Sequence, residues 1–243
     1  CLVFPSVRVA RAETSAQIRF EEANAYFEKG QMDQAYNIYD ELIQQGYAGS
    51  ALYYNLGNYF YRQTQRGKAV LWYERGKRLA PRDPDIQFNL SLAQSHIKNM
   101  PDNILENIIL TFTSRELTWL TFFLIWVFFV ALGVNILGYG KGHLVMNTIL
   151  WTSGLLLFIS GVWLSLSIGL ESKPWAVVTV PPGEVRNGPG EEYAVGFTIP
   201  EGSRVLVLNK RPEWTEIGAV QEGLKGWIPT NQVEPIRLKF WLS

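Results

Sequence analysis

The sequence predicts a multi-domain chain in three structural parts: an α-helical solenoid, a two-helix transmembrane hairpin and a small all-β barrel. Three observations carry that expectation. A 34-residue period runs through residues 16–98, and two long runs without a charge occupy the middle of the chain. After Pro174, short apolar runs alternate with dense turn clusters. Charge follows the same division: residues 13–116 are charged, 117–170 carry almost none, and 171–243 are polar again. Such shifts indicate separate compartments rather than one core.

The 243 residues carry 22 basic and 22 acidic side chains, a balance that gives no electrostatic footprint for nucleic acid. Cys1 is the single cysteine, which excludes a disulfide framework and a cysteine metal site. His96 and His143 fall in different segments, so neither His–Cys chemistry nor a histidine cluster is expected. No nucleophile–base pair and no Gly-Lys-Ser/Thr loop is found, so the chain reads as a non-enzyme with no cofactor.

Residues 1–12 read as the truncated end of a secretory signal peptide. The start CLVFPSVRVARAE holds the apolar pieces LVF and VRV, and Ala10 and Ala12 place small residues where a cut after Ala12 requires them. A lipidated Cys1 is the rival reading.

Residues 13–100 hold the repeat. Ala23, Tyr26, Ala35 and Tyr39 recur 34 positions later as Gly57, Phe60, Ala69 and Tyr73. Small residues let paired helices approach, and aromatics fill the space between them. The pattern resembles tetratricopeptide repeats, with two full units and a closing helix from Leu90 and Ser91. The resemblance implies a concave face lined by the first helix of each unit, where Asn24, Tyr54, Asn55, Asn58 and Tyr61 become candidate peptide-binding residues. Amides donate to and accept from an extended backbone, which suits stacked asparagines to a peptide groove. The alternative is that the asparagines bridge helices and the aromatics are core. Asn24 and Asn55 match the amide positions of the family's carboxylate clamp. Phe20, Asp85 and Asn89 stand where its basic residues belong, which argues against that clamp.

Residues 101–116 form a linker in which Ile104, Leu105, Ile108, Ile109 and Phe112 recur at helical spacing. The helix so predicted either lies on lipid headgroups or packs on the repeats. Thr113-Ser-Arg-Glu116 has the form of a capping box opening the first span. Residues 117–137 and 144–170 are each long enough to cross a bilayer. Two spans return the chain to its starting side, and the signal peptide places both flanking parts outside the cytoplasm. Trp119 and Trp175 suit the membrane interface. Asn135, Asn147, Ser153, Ser160 and Ser165 suit helix packing rather than an ion path.

Residues 174–236 predict an antiparallel barrel, with 237–243 as a tail. Arg186-Asn-Gly-Pro-Gly190, Tyr193, Pro200-Glu-Gly202, Trp214 and Gly226-Trp-Ile228 together resemble bacterial SH3-like domains. The turn after Arg186 is no phosphate cradle, because neither a helix nor a Lys-Ser/Thr pair follows it. Trp214 and Trp227 are either barrel core or the floor of a peptide groove.

The order of these modules resembles the BatE-type family of bacterial aerotolerance operons. That resemblance implies a scaffold in the inner membrane, with its soluble modules periplasmic. Its implied partners are von Willebrand A-type membrane proteins and a MoxR-type ATPase. Some bacterial SH3-like domains bind peptidoglycan, which gives a cell-wall sensor or anchor as the second reading.

Overall fold

The computed structural model describes residues 5–95, 97, 104–137, 143–219 and 223–237, with side chains from residue 15 onward except that of His143. Cys1, His96 and Lys141 lie outside the described residues. Among the described residues, eight helices and a seven-stranded antiparallel sheet form two compact units. Residues 1–100 and 174–243 make one unit, and residues 101–173 make the other.

The first unit begins with five helices: α1 (Pro5–Glu28), α2 (Met32–Gln44), α3 (Ser50–Arg62), α4 (Arg66–Leu79) and α5 (Pro84–Gln94). The expected cut after Ala12 falls inside α1. The 34-residue period recurs in the contacts. Phe20 meets Tyr39 with ring centroids 5.9 Å apart at 47°, and Tyr54 meets Tyr73 at 6.1 Å and 48°. Ala23, Ala35 and Tyr39 are buried, as are Gly57, Ala69 and Tyr73. Gly57 admits no side chain, because a Cβ there would stand 2.4 Å from the Tyr73 ring.

Helices α1 and α3 also end alike. Gly30 and Gln31 donate to Phe27 O and Tyr26 O, while Thr64 and Gln65 donate to Tyr61 O and Phe60 O. This Schellman-type ending needs a left-handed residue. Gly30 supplies it at φ +77°, whereas Thr64 is forced to +59°, the one positive-φ non-glycine residue among those described. Helix α5 starts on Asp83, whose carboxylate accepts from the N–H groups of Asp85 and Ile86, with Pro84 in the first turn.

The strands are β1 (Trp175–Val178), β2 (Gly183–Arg186), β3 (Val195–Ile199), β4 (Arg204–Lys210), β5 (Trp214–Ala219), β6 (Leu224–Pro229) and β7 (Val233–Pro235). Their order is β3-β2-β6-β5-β4-β1-β7, antiparallel throughout. The expected barrel closure is not found: the sheet is open. One edge, β3, is mostly exposed. At the other edge, β7 is only three residues long and ends in Pro235, which has no N–H to extend a ladder. The carbonyls of Pro235 and Ile236 instead accept from the Arg75 guanidinium of α4 at 2.9 and 3.3 Å. A helix thus covers the edge where another strand would pair.

Helix α4 is held along its length by the sheet segment. The Gly67 N–H at its N-terminus donates to the Glu201 carboxylate at 3.2 Å, where acidic charge also meets the positive end of the helix dipole. Val70 packs against Gly202. Arg75 is only 3% exposed, stacks over Trp72 at 4.3 Å and lies 3.8 Å from Glu234. Burial pulls its pKa down to about 10, so it stays charged at neutral pH. Trp175, Val177 and Ile236 complete the helices' own hydrophobic core, while the opposite face of the sheet closes a second core around Val178, Val205, Ile217 and Ile228. A core built from both flanks of residues 101–173 cannot be divided by a bilayer. Any membrane crossed between them is crossed an even number of times.

The second unit contains α6 (Ile104–Ile109), α7 (Ser114–Ile136) and α8 (His143–Ser172). Two of these, Ser114–Ile136 and Leu144–Ser172, are long and apolar enough to span a membrane. Few of their residues are buried, unlike the core helix of a soluble protein. Thr113 and Glu116 form the reciprocal capping box that their spacing predicts. Hydrogen bonds at three levels set the antiparallel pairing: Ser114 to Glu171 (hydroxyl 2.8 Å, N–H 3.3 Å), Thr121 to Ser160 (3.3 Å) and Asn135 to Asn147 (2.5 Å). Ser153, Ser160 and Ser167, seven residues apart, are 5%, 5% and 0% exposed, and they form the seam of α8.

Candidate functional site

The candidate peptide-binding residues lie on α1 and α3, and four of the five are hydrogen-bonded to one another or to neighbouring helices. Asn24 Oδ1 accepts from the Tyr39 hydroxyl at 2.7 Å and from Asn55 Nδ2 at 2.8 Å. Asn55 Nδ2 also reaches the Tyr39 oxygen at 3.2 Å. One period later, Asn58 Oδ1 accepts from the Tyr73 hydroxyl at 2.7 Å. Asn89 Nδ2 donates to the Tyr54 hydroxyl at 2.9 Å. Tyr61 is half-buried against the same core.

These bonds decide what the asparagines can still do. Every hydrogen bond of Asn24 and Asn58 among the described residues runs through Oδ1, so each keeps its amide N–H groups for a ligand. The half-buried ladder therefore presents donors, which suit the carbonyls of an extended peptide. Asn55, by contrast, spends its Nδ2 on two protein oxygens and acts as a bridge between α1 and α3. Burial pushes Tyr39 up to about 12 and raises Tyr73 in the same direction. Both hydroxyls thus remain protonated donors at physiological pH. Sequence spacing makes Asn24 and Asn58 candidates, whereas the packing role expected of Tyr39 and Tyr73 leaves out the hydrogen bonds by which they orient those amides. Their common separation of 15 residues from the asparagines, repeated at 34, was the available signal.

A concavity of about 810 Å³, open to solvent, lies on the sheet segment. Pro189, Trp214 and Pro229 give it apolar walls, and Glu191, Glu192 and Glu213 give it acidic ones. Arg186 is not free to meet a ligand there. Its guanidinium donates to Glu191 O and Tyr193 O at 2.9 and 2.7 Å and to the Glu184 carboxylate at 3.3 Å, fastening the turn to its own strand. Trp214 is half-buried at the groove, whereas Trp227 is 9% exposed and lies beneath the Arg211 guanidinium. Among the described residues no group of His, Cys, Asp and Glu could hold a metal ion.

No protein-family model matches the chain, and no curated protein matches it.

Proposed function

We propose that the protein is a membrane-anchored scaffold whose helical, tetratricopeptide-like repeats hold an extended peptide of a partner protein. The observation that carries this reading is the ladder of Asn24 and Asn58. Each is fixed through its oxygen by a buried tyrosine and retains its N–H donors on a half-buried face. The two apolar helices supply the anchor. The resemblance to BatE-type proteins adds the setting: the bacterial inner membrane, soluble modules in the periplasm, and partners of the von Willebrand A type and the MoxR ATPase type. No step of catalysis is assigned.

A photo-crosslinking residue at Tyr61, installed in the full chain in native membranes, tests this directly. One defined membrane or periplasmic protein is expected in the adduct, and Asn24→Ala together with Asn58→Ala should reduce it at least fivefold at unchanged protein level. An adduct yield indifferent to both asparagines would sink the peptide-ladder reading. The acidic, proline- and tryptophan-walled groove supports the second reading, a site for the amine-bearing stem peptides of peptidoglycan. There the detergent-solubilised full chain should sediment with purified sacculi, and Glu191→Gln with Glu213→Gln should abolish it.

A further inference from the structure

Helix α6 precedes the first apolar helix, and its apolar and polar residues occupy different arcs. At 100° per residue, Ile104, Leu105 and Ile108 share one side with Phe112 beyond the helix end, while Glu106 and Asn107 lie on the other. The apolar residues are not used inside the protein: Ile104, Leu105 and Ile108 are 69%, 71% and 53% exposed, whereas Glu106 is buried.

The end of α6 is closed without water. A helix leaves its last four carbonyls without intrahelical partners. Here Glu106 O accepts from Leu110 N–H, and Ile108 O accepts from Thr111 N–H. Asn107 O accepts from the Thr111 hydroxyl at 2.8 Å. Ile109 O accepts from the Trp163 indole at 2.9 Å, and the Trp163 ring meets Phe112 edge-on at 5.7 Å. Water would satisfy such carbonyls at a surface, but in hydrocarbon each must find a protein partner. Trp163 belongs to α8 itself, eight residues before Glu171, or about 12 Å along the helix axis. Ser114 and Glu171 mark the polar end of the pair. The α6 end is therefore tied below that polar level, close to the depth of roughly 5–10 Å at which interfacial helices bury their apolar faces.

We infer that residues 104–112 form a wedge inserted into one leaflet of the bilayer, with Ile104, Leu105, Ile108 and Phe112 among the upper acyl chains. The inference rests on the reading of α7 and α8 as membrane spans. Trp163 serves as a positioning residue: it fixes the depth of the wedge and leaves the spans themselves unchanged.

The full chain with Cys1→Ser is reconstituted into vesicles of phosphatidylcholine and phosphatidylglycerol. A fluorophore is attached at Leu105→Cys, at Phe123→Cys as a span control, or at Lys210→Cys as a soluble control. Quenching by lipids brominated near the headgroup end or near the middle of the acyl chain then reads depth. The label at 105 should be quenched at least threefold more by shallow bromine, the label at 123 more by deep bromine, and the label at 210 by neither. Trp163→Phe should weaken quenching at 105 at least twofold and leave 123 unaltered. An unquenched label at 123 overturns the span reading and the wedge with it. Quenching at 123 with a silent label at 105 overturns the wedge alone, and indifference to Trp163→Phe overturns the positioning role.

Discussion

Thr64 occupies a backbone conformation that Gly30 adopts one repeat earlier without cost. A β-branched residue in the left-handed region carries steric strain of roughly 1–2 kcal/mol, partly offset by the greater freedom a glycine would have when unfolded. Thr64→Gly should therefore raise stability by about 0.5–1 kcal/mol, measured by urea unfolding in detergent. Tyr39 gives a pH signature. Its folded pKa is raised from 10.0 to about 12 by burial, so the folded state holds its proton more tightly. That contribution is complete below pH 10 and is lost as pH rises through about 12. The stability difference between wild type and Tyr39→Phe should shrink between pH 9 and pH 12, and a pH-independent difference would contradict the assignment.

At the scale of elements, α4 joins the helices to the sheet. Arg75→Ala would leave the carbonyls of Pro235 and Ile236 without their donor and open a cavity beneath Trp72. A loss of about 2–4 kcal/mol is expected, because unpaired buried polar groups cost more than a hydrogen bond contributes. Arg75→Lys should restore little of it, since one ammonium cannot reproduce the fork on two carbonyls and the stack on an indole. In the apolar pair, Ser153→Leu should separate α7 from α8 by adding bulk to a seam residue that is 5% exposed. A cysteine crosslink between positions 121 and 160, efficient in the otherwise unaltered chain, reports this by failing in pairs that carry a bulky neighbour at Ser153.

For the whole molecule, the shared core makes a topological prediction. Membrane-impermeant labels at Lys29→Cys and Lys210→Cys should react from the same side of sealed vesicles, because both residues belong to one folded unit. A reporter fused at Lys141 should report cytoplasm and one after Ser243 periplasm, if the module order carries the meaning its resemblance implies. Opposite-side labelling of positions 29 and 210 would be incompatible with Trp175 and Ile236 lying in the helices' core.

Local structure follows from short-range patterns in the sequence. The 34-residue period located the turns and the small-on-aromatic packing, two uncharged runs located α7 and α8, and turn chemistry located most of the strands. Each signal is written in neighbouring residues at a fixed spacing. The short strand β7 was not legible, since three residues ending in proline carry no periodicity. Whether the sheet closes was not legible either, because closure depends on what meets its edges. Arg75 looks like any charged residue in a polar helix, and its partners stand 160 residues away along the chain. The folded chain sets it on the edge of β7, leaves the sheet open, and brings one face of the sheet into the helices' core: such pairings depend on distances in space that no local pattern encodes.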